Sequence, residues 1–382
     1  MKILHICMSQ YSDGWSYQEN LLAKYHLQAG HEVYLLTSEY CFCEGALVRD
    51  EKTSFQDVNG VFVTRLTRYP TPIARKLPRY RGFYQKIKEI APDLIFSHGC
   101  QYRDLGAVVR YVKGHPETRL ILDNHADFSN SARGFLSKYI LHGLIWRHYA
   151  KRAERVAEIF YGVLPARVDF LQKVYAIRAE KTDLLCMGAD DELAQKALNG
   201  AKNGLLRAEL GFSAEDFLLV TGGKIDPAKR QTLTLMRLVA ELPDPRVKLL
   251  VFGSVDPTLK EEFDRLCNDR VRYIGWVSPD ETYRYFALAD LAVFPGRHSV
   301  LWEQVAGMGI PLLVKHWEGT THVDVCGNAD FLQDDAPATL LAALQGSIER
   351  HEKMKQAAAQ AAKAFSYRHI AARSLSGEKA GK

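Results

Sequence analysis

Two stretches of the 382-residue chain carry residue types and spacings suited to an anionic ligand. The first is Thr221-Gly222-Gly223-Lys224-Ile225-Asp226-Pro227-Ala228-Lys229-Arg230, directly behind the apolar run Phe217-Leu218-Leu219-Val220. Glycines at such a turn let the backbone approach a ligand closely. Two lysines, Lys224 and Lys229, beside the start of a helix suit a diphosphate. A solvated, charged loop after a tight turn would give the same local pattern. The second stretch is Phe294-Pro295-Gly296-Arg297-His298-Ser299-Val300-Leu301-Trp302-Glu303. It reads as a strand end, a glycine turn and a helix beginning near Ser299. Ser299 is expected to cap that helix, leaving its first-turn amides to face anything bound above the sheet. Glu303 follows about one turn later, where a carboxylate can accept from two vicinal hydroxyls. The alternative is an ordinary surface glutamate.

These stretches need elements to hold them. Short apolar runs alternate with longer amphipathic stretches, the pattern of parallel strands joined by crossover helices. In the first half, strands are predicted over 3–8, 32–36, 61–65, 94–97, 119–122 and 158–162, with helices over 17–29, 103–112 and 135–156. A polar stretch at 188–204 reads as a linker. The strand pattern then restarts over 217–221, 248–252, 271–274, 291–294 and 311–314, with helices over 230–241, 257–267, 281–288 and 301–307. The C-terminal part is helical from about 336, and Ser366 is placed to cap a last short helix. Two doubly wound α/β domains follow from this restart, 1–181 with 366–382 and 182–365. Ligands of such sheets sit beyond the carboxyl ends of the strands.

The order of motifs resembles the family-4 retaining glycosyltransferases of the GT-B fold, in which two Rossmann-like domains face each other across a cleft. Gly223-Lys224 with Lys229 resembles that family's Gly-Arg turn with a lysine five residues on. Leu249-Leu250-Val251-Phe252-Gly253, Val271-Arg272-Tyr273-Ile274-Gly275-Trp276, Ala289-Asp290 before Pro295, and Glu303 with Gly309 and Pro311 follow in the family's order. In the first half, Gly30-His31-Glu32-Val33, Pro92-Asp93 ahead of His98, Leu122-Asp123-Asn124-His125 and the hinge-like Cys186-Met187-Gly188-Ala189-Asp190 match as well. The resemblance implies retaining, metal-independent transfer from a nucleoside-diphosphate sugar, UDP-linked, with no further cofactor. By position it implies that Gly223, Lys224 and Lys229 hold the diphosphate and that Trp276 and Val277 lie near the base. It also implies that Glu303 binds the ribose and that His125 contacts the donor sugar at the reacting carbon. Pro295 stands where the family has its first glutamate, and Arg297, His298 and the amides near Ser299 and Val300 are the expected substitutes. Strict spacing back from Gly309 lands on Gln304. The carboxylate of Glu303 is preferred for the ribose because it accepts from two hydroxyls at once.

Composition excludes several classes. A formal net charge of +5 is mild, so location matters more than total. Arg65, Arg68, Arg75, Lys76, Arg79, Arg81, Lys86 and Lys88, interleaved with aromatics and free of Asp or Glu, suggest contact with an anionic membrane surface or a lipid-linked acceptor. A solvated loop and helix face is the competing reading. No nucleic-acid-binding motif accompanies the patch. Seven scattered cysteines read as reduced thiols. The first residues form a strand without a signal-peptide pattern, and no apolar run approaches the roughly 18–20 residues that span a bilayer. A cytoplasmic enzyme, peripheral on the inner membrane face, is the expectation. Its acceptor would be a cell-surface glycan or a lipid-linked sugar. His316, His322 and Asp324 are placed in local hydrogen bonds in preference to a metal site. The residues after the first strand, Ser9-Gln10-Tyr11-Ser12-Asp13-Gly14, exclude a G-x-G-x-x-G oxidoreductase turn. An epimerase of the same architecture and a non-catalytic sugar-nucleotide-binding protein remain as alternatives.

Overall fold

Near-continuous runs of Val, Ile, Leu and Phe become strands buried on both faces, as parallel sheets require. The computed structural model describes residues 1–43, 46–70, 77–132, 134–377 and 379. The chain divides into two compact units, Met1–Cys186 with Ile370–Lys382, and Met187–His369.

The first unit contains β1 (Lys2–Cys7), β2 (Glu32–Ser38), β3 (Tyr40–Cys43), β4 (Ala46–Arg49), β5 (Ser54–Gln56), β6 (Phe62–Leu66), β7 (Leu94–Ser97), β8 (Arg119–Asn124), β9 (Ile159–Gly162) and β10 (Thr182–Leu184). Eight of them form one sheet in the order β10-β9-β8-β7-β1-β2-β6-β5, while β3 and β4 pair as a separate hairpin. Only β5 in that sheet runs antiparallel, against β6. Helices Phe83–Ile90 and Leu105–Gly114 cover one face through Ile87, Val108 and Val112. Helix Gln18–Gln28 covers the other, with Ala23 packed among Val33, Leu35 and Val63.

The second unit holds β11 (Phe217–Gly222), β12 (Val247–Phe252), β13 (Val271–Tyr273), β14 (Leu291–Phe294), β15 (Leu312–Lys315) and β16 (Ala329–Leu332). They form an all-parallel sheet in the order β13-β12-β11-β14-β15-β16. The order reverses between β11 and β14, which are neighbours in space. That switch point lies between the two stretches singled out from sequence.

Three expectations change. The boundary lies after Cys186, because β10 pairs in parallel with β9 and so extends the first unit past 181. The chain returns to that unit at Ile370, within the helix Tyr367–Ser374. The polar stretch at 188–204 is mostly the helix Asp191–Ala201, whose N-cap Asp190 accepts from the Glu192 and Leu193 amides. The long helix expected over 135–156 is a wider-wound π segment, Leu136–Trp146, continued by α-helix Arg147–Glu154. Ser366 Oγ accepts from the His369 amide at 3.3 Å, a local cap of the last helix. The seven cysteines are free thiols. Among the described residues, no helix is long and apolar enough to cross a membrane.

Part of the basic segment is committed to internal partners. Arg65 is buried, paired with Asp50 at 2.8 Å, and donates to the Tyr11 carbonyl. The Arg68 guanidinium lies 4.5 Å from the Tyr40 ring centre, Arg79 approaches Asp104, and Lys86 pairs with Glu89. Arg75 and Lys76 lie outside the described residues. Arg79, Arg81 and Lys88 remain exposed.

Candidate functional site

The carboxyl ends of β11, β12 and β13 meet backbone to backbone. Gly223 N donates to Phe252 O at 3.1 Å, and Gly253 N donates to Gly275 O at 2.7 Å. A Cβ on Gly253 would fall 1.9 Å from the Gly223 carbonyl oxygen, and Gly253 has φ +119°. No side chain fits there. Gly253→Ala is expected to cost about 2–5 kcal/mol, from overpacking plus left-handed strain, in urea unfolding.

This tight joint aims the following loop upward. Asp226 caps the short turn Pro227–Lys229 by accepting from the Ala228 amide. Lys224 is exposed and 3.6 Å from Asp226. Lys229 is half-buried in a groove lined by Thr221, Ile225, Pro295, Gly296, Arg297 and Ser299, with Lys224 at its rim. Burial pulls the Lys229 amine below its ordinary value; Asp226 opposes this, and Lys224 and Arg297 add to it. Among the described residues, neither Lys229 nor Arg297 has an ion-pair partner. Three cations around one shallow groove, with one carboxylate between them, favour an anionic occupant.

The other predicted residues divide. Trp276 follows β13 with its side chain 69% exposed, an open aromatic surface. Val277 beside it is half-buried. Ser299 and Val300 precede the helix Leu301–Gly307, but the expected Ser299 side-chain cap is absent: the Ser299 carbonyl accepts from the Trp302 amide. Ser299 does line the groove.

Glu303 is enclosed by its neighbours. It is fully buried, and its Oε1 accepts from both His298 Nε2 (2.8 Å) and His322 Nε2 (2.9 Å). Its Oε2 is buried without a hydrogen-bond partner. Burial alone would raise this acid, yet His298 and His322 outweigh it and bring it down to about 2. The carboxylate is enclosed in this structure, with Oε1 shared by His298 and His322. Gln304, one position on, donates to Thr282 Oγ1 at 2.7 Å. It lies at the spacing expected of the ribose contact. The depressed Glu303 acidity also has a stability sign. Its contribution is complete above its unfolded value near 4.5 and is lost as pH falls toward about 2. Glu303→Gln is therefore expected to flatten the acid limb of stability between these values, measured by urea midpoints across pH.

The sequence-predicted His125 lies in the first unit, just past β8, half-buried. Asp123, fully buried at the end of β8, binds His98 Nδ1 at 3.0 Å and the Gly99 amide at 2.8 Å; His125 Nε2 is 3.3 Å away. A carboxylate only accepts, so each imidazole must present N–H to it. Two histidines that sequence reasoning missed extend this cluster. His98 Nε2 is 2.9 Å from His5 Nδ1, and His5 Nε2 is 3.0 Å from His26 Nδ1. His26 Nε2 ends the chain at Ser374 Oγ (2.9 Å) and the Ala371 carbonyl (3.1 Å). With Asp123 as acceptor, a neutral His98 carries its proton on Nδ1 and accepts at Nε2 from His5 Nδ1–H. Burial lowers His5, and it lowers His26 to about 3, so neither ring holds charge. Asp123 is held well below the usual carboxylate range: burial opposes this, and His125 and His98 outweigh it. For His125, burial works against the charged form, but Asp123 raises it above an ordinary imidazole.

Sequence comparison finds neither a known family profile nor a curated protein that matches. Solved structures do match. Anabaena HepE in complex with UDP is 20% identical with a TM-score of 0.66, over 98% of this chain and 98% of that one. Sucrose-phosphate synthase from Thermosynechococcus elongatus is 15% identical with a TM-score of 0.65, over 97% and 96%. A Listeria monocytogenes structure assigned as a UDP-N-acetylglucosamine 2-epimerase is 12% identical with a TM-score of 0.62, over 98% and 94%. The two Rossmann-like units and this likeness along the whole chain define a GT-B fold.

Proposed function

We propose that the protein is a retaining glycosyltransferase. It moves a sugar from a UDP-linked donor to a cell-surface glycan or lipid-linked acceptor. The observation that carries this reading is the groove at the switch point of the second sheet, which Lys224, Lys229 and Arg297 line together with Gly222 and Gly296. A departing nucleoside diphosphate gains negative charge as the sugar–phosphate bond breaks. Fixed cations stabilise that charge more than they stabilise the intact donor, which lowers the barrier without a metal. The likeness to a UDP-bound relative supports uridine as the base. Trp276 and Val277 then lie along the base, Glu303, whose Oε2 has no hydrogen-bond partner, takes the ribose contact, and Ser299 and Val300 border the phosphates. His125, with Nε2–H held by Asp123, keeps Nδ1 for the donor sugar.

An epimerase is the second reading, favoured by the likeness to the Listeria protein. Proton NMR of the protein with UDP-glucose and UDP-N-acetylglucosamine separates the two. A transferase releases UDP in proportion to a glycan or lipid-linked acceptor supplied. Conversion of either sugar without any acceptor would favour the epimerase, and nucleotide-sugar binding with no turnover in a broad acceptor panel would favour a binding protein.

A further inference from the structure

The largest run of exposed apolar side chains is in the first unit, directly after His125. Phe135 is 73% exposed, Leu136 69%, Tyr139 52%, Ile140 43% and Leu144 66%, and Phe128 just before them is 47% exposed. Positions 136, 140 and 144 recur every four residues along the segment Leu136–Trp146, with 135 and 139 beside them. That gives one outward stripe. The opposite side is anchored in the core by His142 and Trp146, which are buried. The side chains also organise one another: Phe135 and Tyr139 rings are 4.8 Å apart, and Lys138 Nζ lies 5.3 Å from the Phe128 ring and 5.2 Å from the Tyr139 ring. A soluble face rarely leaves so much apolar surface contiguous without a partner.

Charge decides the kind of partner. From Phe128 to Ala153 the sequence has no Asp or Glu, but has Arg133, Lys138, Arg147, Lys151 and Arg152. Lys138, Arg147 and Arg152 are exposed beside the stripe. An apolar and aromatic ridge flanked by cations alone fits a surface whose interior is hydrocarbon and whose rim is anionic. A second copy of this chain would meet the same cations on this face, and their repulsion disfavours it.

We infer that the ridge formed by Phe128, Phe135, Leu136, Tyr139, Ile140 and Leu144 seats the protein on an anionic lipid surface. This stands apart from the donor reading, because lipid binding needs no nucleotide.

Co-sedimentation of the full chain with phosphatidylcholine vesicles, with and without a third phosphatidylglycerol, tests it. The wild type is expected to partition at least tenfold more strongly onto the anionic vesicles, and added salt should reduce that partitioning. Phe135→Ser with Leu144→Ser should lower partitioning by about tenfold or more. Both sites are solvent-exposed, so the far-UV spectrum should stay unchanged. Lys138→Glu with Arg147→Glu should remove the preference for anionic lipid. Three results would overturn the inference: no partitioning, equal partitioning of the Phe135→Ser/Leu144→Ser variant, or dimerisation in sedimentation velocity that the same pair of substitutions abolishes.

Discussion

Lys229→Ala should weaken binding of UDP, the nucleotide of the proposed donor, by about 10- to 100-fold. One charge-assisted contact is worth roughly 1.5–3 kcal/mol, and each 1.4 kcal/mol is tenfold. The size follows from place. Lys229 is half-buried, burial and the cations Lys224 and Arg297 depress its amine despite Asp226, and a diphosphate would relieve that strain. Lys224 is exposed and already close to Asp226, so Lys224→Ala should lose only a few-fold. Isothermal titration with UDP reads both. If neither substitution changes the affinity, the diphosphate does not bind in this groove.

Asp123→Ala should carry the largest stability cost, about 3–5 kcal/mol in urea unfolding, because it strips a buried charge from its partners. His98, His125 and the Gly99 amide would all lose their acceptor. The pH signs differ for the two sides of this pair. Asp123, depressed in the fold, stabilises above its unfolded value, and that contribution is lost as pH falls. His125, raised in the fold, stabilises below the ordinary imidazole value, and that contribution is lost as pH rises through its folded one. In Asp123→Asn the His125 ring signal should titrate lower than in wild type, by histidine-selective NMR. An unchanged midpoint, with a stability loss under about 1 kcal/mol, would mean that Asp123 does not control this ring.

Legibility in the sequence followed local physics. Strands buried on both faces, such as β1, β7 and β11, stand out as unbroken apolar runs. The hairpin of β3 and β4 was not seen, because β4 is exposed throughout and carries no alternation. Helix Asp191–Ala201 passed for a linker since only Ala194 in it is buried, which leaves almost no apolar stripe to read. The glycine turns and lysines were legible because their spacing is set within one loop. Glu303 was harder to place. A single residue of helix phase decides which side chain faces a ligand, and strict spacing back from Gly309 lands on Gln304. The histidine chain leaves no spacing signature, since His5, His26, His98 and His125 meet only after β1, β7 and β8 have paired.

Saturation-transfer NMR of the purified protein against a panel of nucleotide sugars, with NAD included and no added metal, tests the central claim most directly. Selective transfer to one UDP-sugar, lost in Lys229→Ala, is the predicted result. Transfer to NAD alone, or to nothing in the panel, would contradict the donor site at the switch point of the second sheet.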